Sequence, residues 1–293
     1  MSLPYPQIDP VAIHLGPLPI RWYSLAYIAG LAGGWFYLTR LLRNQSLWKA
    51  TGGPPLTRPQ LDDVIFWVAI GVMLGGRLGY LFFYEPSLLI EPWEPLGAGM
   101  EPGLVKTLIG WLPIPPALML WRGGMSFHGG LIGVTLAGWL FARRNNLNAL
   151  SMGDLFACAT PIGLFFGRIA NFINGELWGR VSEAPWAMVF PGAGPLPRHP
   201  SQLYQAGLEG LCLLVILAVA VRMGALKRPG LALGLFGCGY GVARIIGEFF
   251  RMPDPQLGFL IGPVTMGMLL SLPMVAIGAW FVVRALRRGP VTS

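Results

Sequence analysis

Seven long apolar runs leave this chain little choice of fold. Residues 20–42, 64–84, 124–142, 155–175, 203–221, 231–250 and 262–283 each approach or exceed the roughly 20 residues that cross a bilayer as a helix. Inside hydrocarbon every backbone N–H and C=O must be satisfied within the segment, so runs of this length predict helices. Only 12% of the chain is charged, about half the roughly 25% of a soluble domain. The fold class is therefore all-α, a polytopic membrane protein with about seven transmembrane helices. The runs fill most of residues 1–293, which predicts a single transmembrane domain with one longer loop at about 85–122.

Glycines recur at four-residue spacing, at Gly71, Gly75 and Gly79 in the second run and at Gly129 and Gly133 in the third. That spacing bares one helix face and predicts close helix packing, not chemistry. Cys158, Cys212 and Cys238 lie in separate apolar runs with no C-x-x-C pair, so they read as small buried core residues. His14, His128 and His199 are far apart and lack metal-ligand spacing, so neither a metal nor a cofactor is expected. The first twenty residues contain prolines and Asp9 in place of a basic stretch and a short apolar core, so no cleavable signal peptide is expected.

A pI near 9.8 invites a nucleic-acid reading, but the basic residues flank the apolar runs, which is the pattern of membrane topology. With the N-terminus outside, the cytoplasmic ends and loops carry 12 of the 21 basic residues, among them Arg40, Arg43, Arg143, Arg144, Arg222 and Arg284. The opposite side carries six, Arg21, Lys106, Arg122, Arg180, Arg198 and Arg251, and Arg77, Arg168 and Arg244 fall within spans. The bias predicts an outer N-terminus and a cytoplasmic C-terminus. The long loop then lies outside, with Glu85, Glu91, Glu94, Glu101 and a stretch at 104–112 suited to the membrane surface.

An arginine within a span costs about 3 kcal/mol on insertion scales, so intramembrane ionisable residues serve a function or have a partner. Arg168, Asn171, Asn174 and Glu176 occupy the outer half of the fourth run, and Tyr240, Arg244 and Glu248 stand at i, i+4, i+8 on the sixth, hence on one face. His128, Arg77 and Tyr23 sit near the outer ends of three other runs. Each has a purely structural alternative: Arg244 with Glu248 as an i, i+4 ion pair, Arg77 as a packing anchor, His128 as an interfacial histidine. Their shared depth favours a pocket just below the outer surface. Arg77, Arg168 and Arg244 against Glu248 make it net positive, with Glu176 and Glu248 as the acids near it. An arginine fork at headgroup depth suits the phosphate of an anionic phospholipid.

The stretch Gly167-Arg168-Ile169-Ala170-Asn171-Phe172-Ile173-Asn174-Gly175-Glu176-Leu177-Trp178-Gly179 resembles the diagnostic motif of the prolipoprotein diacylglyceryl transferases. Residues 123–130 (GGMSFHGG), 198–204 (RHPSQLY) and 240–251 (YGVARIIGEFFR), with Trp22-Tyr23 near the start, resemble the same family in the same order. Departures are Arg21, where the family often has His, a longer loop before Gly123, and a short one between Gly179 and Arg198. The resemblance implies an inner-membrane transferase of bacteria with its active site towards the periplasm. It would move the diacylglyceryl group of phosphatidylglycerol to the lipobox cysteine of a prolipoprotein signal peptide, forming a thioether and releasing glycerol 1-phosphate.

It also implies roles. His128 is the expected general base for the thiol, with proton loss to water or a carboxylate as the alternative. Arg168 and Arg244 are expected to stabilise the departing phosphate. Asn171 and Asn174 hydrogen-bond the glycerol headgroup, Glu176 and Glu248 orient the arginines, Tyr23 and Tyr240 donate at the rim, and Gly179 belongs to the substrate site. A lipid transporter or flippase is the rival from another class, but the halves show no repeat and the polar set lies off the midplane. A phosphotransferase would need metal-binding carboxylates beyond Glu176 and Glu248.

Overall fold

The computed structural model describes residues 3–16, 18–100, 104–120, 123–253, 258–260 and 262–288. Glu101 and Arg122, counted above in the long loop, lie outside the described residues. All seven apolar runs are helical. The helices are α1 (Trp22–Arg43), α2 (Arg58–Phe83), the short α3 (Leu104–Ile109) of the long loop, α4 (Phe127–Arg144), α5 (Ala149–Ile173), α6 (Ser201–Arg222), α7 (Leu231–Phe250) and α8 (Met266–Arg288). Six of them are long and apolar enough to cross a membrane. The remaining long helix, α4, has 18 residues and ends in Arg143 and Arg144. A hairpin of β1 (Val11–Leu15) and β2 (Leu18–Arg21) precedes α1.

Two compact units share the chain, one of residues 1–55 and 150–293, the other of 56–149. In the second, the expected glycine face is the contact itself. A Cβ on Gly75 would fall 2.8 Å from Gly133 Cα, and one on Gly79 2.8 Å from Gly129 Cα. Bare backbone meets bare backbone, so α2 and α4 gain dispersion contact that any side chain would prevent. Helix α2 starts where Thr57 and Gln60 form a reciprocal capping box, followed by Pro59 in the first turn. Helix α4 starts where Ser126 Oγ accepts from Gly129 N.

In the first unit, α7 and α8 pack along Gly234, Gly241 and Gly278, each tight against the facing helix. The N-terminus of α7 is capped from another helix: Asp154 of α5 accepts from Gly230 N at 2.6 Å and from Leu233 N at 2.8 Å. Asp154 is fully buried, and the exposed N–H groups of a helix start are the compensation that a buried carboxylate requires. At the other end of α5 the Tyr5 hydroxyl is shared between the carbonyls of Phe172 and Ile173, in the last turn where carbonyls lack intrahelical partners. Burial pushes the Tyr5 phenol above its ordinary value. Of the three cysteines, Cys158 is buried but Cys212 is exposed on α6. The expectation of three core residues therefore fails for Cys212, because its position in an apolar run did not specify which face it occupies.

Candidate active site

Helix α6 is not a regular α-helix. Residues Ala206–Cys212 form a π-helical stretch, and the wider turn sits directly on α5, where a Cβ on Gly210 would fall 2.6 Å from that of Phe165. Single π-turns within α-helices often mark functional positions. This one carries Glu209, whose side chain is fully buried. One turn along α5 from Phe165, Arg168 donates from Nε and Nη2 to Glu209 Oε2, at 3.0 and 2.9 Å.

The second arginine comes from α7. Arg244 Nη2 lies 2.7 Å from Glu248 Oε1 across one helical turn, and Arg244 Nη1 lies 3.8 Å from Glu209 Oε1. Those last two atoms are both buried and neither has a hydrogen-bond partner. Glu248 also receives Arg251 Nη1 at 3.2 Å and the Thr265 hydroxyl, which donates to Oε2 at 2.7 Å. Space for that carboxylate comes from Gly267, where a Cβ would fall 2.8 Å from Glu248 Cδ. Tyr240 stands one turn before Arg244 on α7, close to the Arg168 guanidinium. The Arg168 and Arg244 side chains keep 16% and 14% exposure, so neither is fully enclosed by the scaffold.

Around this core the loop after α5 is strapped down. Gly175 and Leu177 take left-handed backbone angles, with φ 66° and 57°, and Glu176 N returns to Asn171 O. Asn171 Nδ2 donates to Glu176 Oε1 at 2.7 Å, while Gln202 Nε2 holds the Glu176 carbonyl at 2.6 Å. Asn174 is exposed. Tyr23 packs on Tyr27 with ring centroids 5.1 Å apart. Gly179 sits at a crossing of three backbone segments, where a Cβ would fall 2.5 Å from His199 O and 2.6 Å from Phe250 O. Arg180 then binds the carbonyls of Glu248 and Arg251 at the end of α7. His199 Nδ1 lies 3.0 Å from the Tyr204 hydroxyl, its ring edge-on to Phe250, and burial holds its pKa below the ordinary histidine value.

Arg168, Tyr240, Arg244 and Glu248 are thus brought together, with Asn171 at the end of α5 paired to Glu176 in the loop that follows. Arg77 and His128 belong to the other compact unit. Arg77 is buried and spent on its own loop: Nε donates to Ala117 O, Nη2 to Pro116 O, and Nη1 to the carbonyls of Gly123 and Gly124. It is the packing anchor, and the charge count that placed it in the pocket is corrected. Within the first unit the cluster is three arginines, 168, 244 and 251, against Glu209 and Glu248, a net charge of one positive. Glu176 orients no arginine among the described residues. It accepts from Asn171 because the left-handed turn folds it back along α5. His128 stands exposed in the first turn of α4, beside an apolar groove of about 750 Å³ between α2 and α4.

Glu209 was missed by treating residues 203–221 as uniformly apolar. The rule that singles out Arg168, an ionisable group within a span, applies to it equally. Arg251 carried no such signal because it lies just beyond a helix end, and Thr265 carried none because a threonine is not ionisable.

The sequence model described as prolipoprotein diacylglyceryl transferase matches residues 10–284. The chain is 53% identical over 290 residues to a phosphatidylglycerol–prolipoprotein diacylglyceryl transferase of Rhizobium leguminosarum bv. trifolii, covering 98% of this chain and 95% of that one. Proteins of the same name from Allorhizobium ampelinum and Methylocella silvestris are 55% and 54% identical, over 98% and 99% of this chain and 93% and 98% of their own.

Proposed function

This chain belongs to the prolipoprotein diacylglyceryl transferase family, and from that premise we propose that the Arg168–Glu209–Arg244–Glu248 cluster is the site at which it transfers the diacylglyceryl group of phosphatidylglycerol to a prolipoprotein. The single observation that carries the assignment is the buried carboxylate scaffold. Two guanidinium groups from separate helices are held by the buried acids Glu209 and Glu248, yet neither arginine side chain is fully enclosed. A guanidinium that is already oriented needs little reorganisation when a phosphate arrives. A lipid transporter or flippase is set aside, since relatives matched over nearly their whole length carry a transferase name.

The reaction forms a carbon–sulfur bond and breaks a carbon–oxygen bond. The acceptor is the thiol of a lipobox cysteine, which has an ordinary pKa of about 8.5 and must become a thiolate to attack. Its sulfur attacks the glyceryl carbon attached to the phosphate oxygen, and glycerol 1-phosphate leaves with the bonding pair. Arg168 and Arg244 stabilise the charge that gathers on that phosphate. His128 takes the thiol proton, a role suited to a histidine near neutral pH. Asn171, with its amide held by Glu176, and Asn174 hydrogen-bond the headgroup glycerol. Tyr23 and Tyr240 line the rim, and Gly179 contributes by letting three backbone segments cross beside Arg180. The whole chain acts as one catalytic membrane domain in the bacterial inner membrane. Its N-terminus and long loop face the periplasm, where a signal peptide presents its cysteine, and its C-terminus is cytoplasmic, as the basic-residue bias supports.

Purified protein incubated with phosphatidylglycerol and a lipobox peptide tests this directly. The peptide should gain the mass of one diacylglyceryl unit, and a peptide with serine in place of the cysteine should gain none. An unmodified cysteine peptide, with active protein of a named relative as the positive control, would refute the assignment.

A further inference from the structure

Glu209 is placed as though to weaken the site it belongs to. It is fully buried, it takes two of the donors of Arg168 on one oxygen, and its other oxygen approaches Arg244 without a hydrogen bond. Without it the cluster would hold three arginines against Glu248 alone. Electrostatic attraction for an anion would rise with each charge left uncompensated, and it would rise in proportion to the charge of that anion. Substrate and product differ in this respect. A phosphodiester lipid carries one negative charge, whereas a phosphate monoester carries about 1.5 to 2 at pH 7. A site of two or more net positive charges would hold the leaving group more tightly than the lipid that must replace it.

Resting on the assignment of this cluster to the lipid phosphate, we propose that Glu209 sets the net charge of the arginine site so that the monoester product is released. It is a positioning residue: it acts through Arg168 and Arg244 and touches neither the sulfur nor the reacting carbon. The π-turn serves this role by widening α6 enough to bring a carboxylate between α5 and α7. The unpartnered pair, Glu209 Oε1 and Arg244 Nη1, is the weakest link of the scaffold.

The test is steady-state transfer to a lipobox peptide with glycerol 1-phosphate added as an inhibitor, in wild type, Glu209→Gln, Glu209→Asp and Glu248→Gln. Removing one negative charge should lower the KM for phosphatidylglycerol by about tenfold and the inhibition constant of glycerol 1-phosphate by about fiftyfold, since the gain scales with anion charge. The kcat should fall with them. Glu209→Asp keeps the charge and should keep the wild-type inhibition constant. Glu248→Gln removes the same charge from the other side and should mimic Glu209→Gln, so it carries the test if Glu209→Gln does not fold. An inhibition constant unchanged or raised in the folded glutamine variant would overturn the proposal. Arg168→Lys separates the two levels. If it also leaves KM and inhibition unchanged, the phosphate assignment itself fails. If it weakens both while the glutamine variants do nothing, only the role of Glu209 fails.

Discussion

Arg168 and Glu209, forty-one positions apart in the chain, meet through a single carboxylate oxygen, with both Nε and Nη2 of the arginine on Oε2. The second oxygen is thereby left for Arg244 on a third helix. One buried acid thus spaces two guanidinium groups, and the α5–α6–α7 packing of the first unit fixes the distance between them. The consequence is mutual dependence. Removing either partner strands a buried charge, which typically costs about 3–5 kcal/mol, so substitutions here must conserve charge or shape if their effects are to be read as chemistry.

The cap on α7 gives a stability prediction separate from activity. Asp154→Ala removes the acceptor for the Gly230 and Leu233 amides and should destabilise the folded protein by about 2 kcal/mol. Thermal unfolding in detergent should show a lowered midpoint with the KM for phosphatidylglycerol unchanged. An unchanged midpoint would mean that water replaces the carboxylate at this end of α7.

Much of this architecture was legible in the chain, for reasons that also explain what was not. The apolar runs gave the helices because length and hydropathy act locally. The α2–α4 contact was readable because Gly71, Gly75 and Gly79 repeat at the helical period. The fate of Arg77 was hidden, since its acceptors are carbonyls of a loop whose path depends on tertiary folding. Glu209 was hidden in another way. A π-turn changes the helical period by part of a residue, so no spacing from Arg168 or Arg244 points to it, and only its cost within the membrane betrays it.

His128→Gln should slow the chemical step and leave lipid binding intact, if this histidine takes the thiol proton. The deficit should shrink as pH rises towards about 8.5, where the thiol ionises without help. Single-turnover rates from pH 6.5 to 9 measure this. A deficit constant across that range would assign His128 a structural role at the start of α4.

Acidification should act through His199. Its folded-state pKa lies below the ordinary value because burial disfavours the charged ring. The unfolded chain therefore binds the proton more readily as pH falls. The contribution of His199 to stability is complete above about 6.5, the unfolded value, and is lost as pH drops through the lower folded value. His199→Gln should flatten the fall in melting temperature below pH 6.5. An identical pH profile in the variant would show that the loss lies elsewhere.

Topology is testable with single cysteines and a membrane-impermeant thiol reagent. Positions 99 and 193 should label in intact spheroplasts, and positions 51 and 146 only after lysis. Cys212 is exposed on α6, so it is best replaced by serine to remove background. Labelling of the opposite polarity would turn the proposed site away from an exported substrate.

The most direct measurement is the transfer rate of Arg168→Lys and Arg244→Lys against wild type, read from the mass of the lipobox peptide. Lysine keeps the counter-charge for Glu209 and Glu248 and so protects folding, but it lacks the planar fork that binds two phosphate oxygens at once. Each variant, verified as folded by its melting profile, should lose at least about a hundredfold in kcat/KM, since preorganised charge at a leaving group is typically worth several kcal/mol. Near wild-type transfer by either folded variant would contradict the claim that these two arginines hold the departing phosphate.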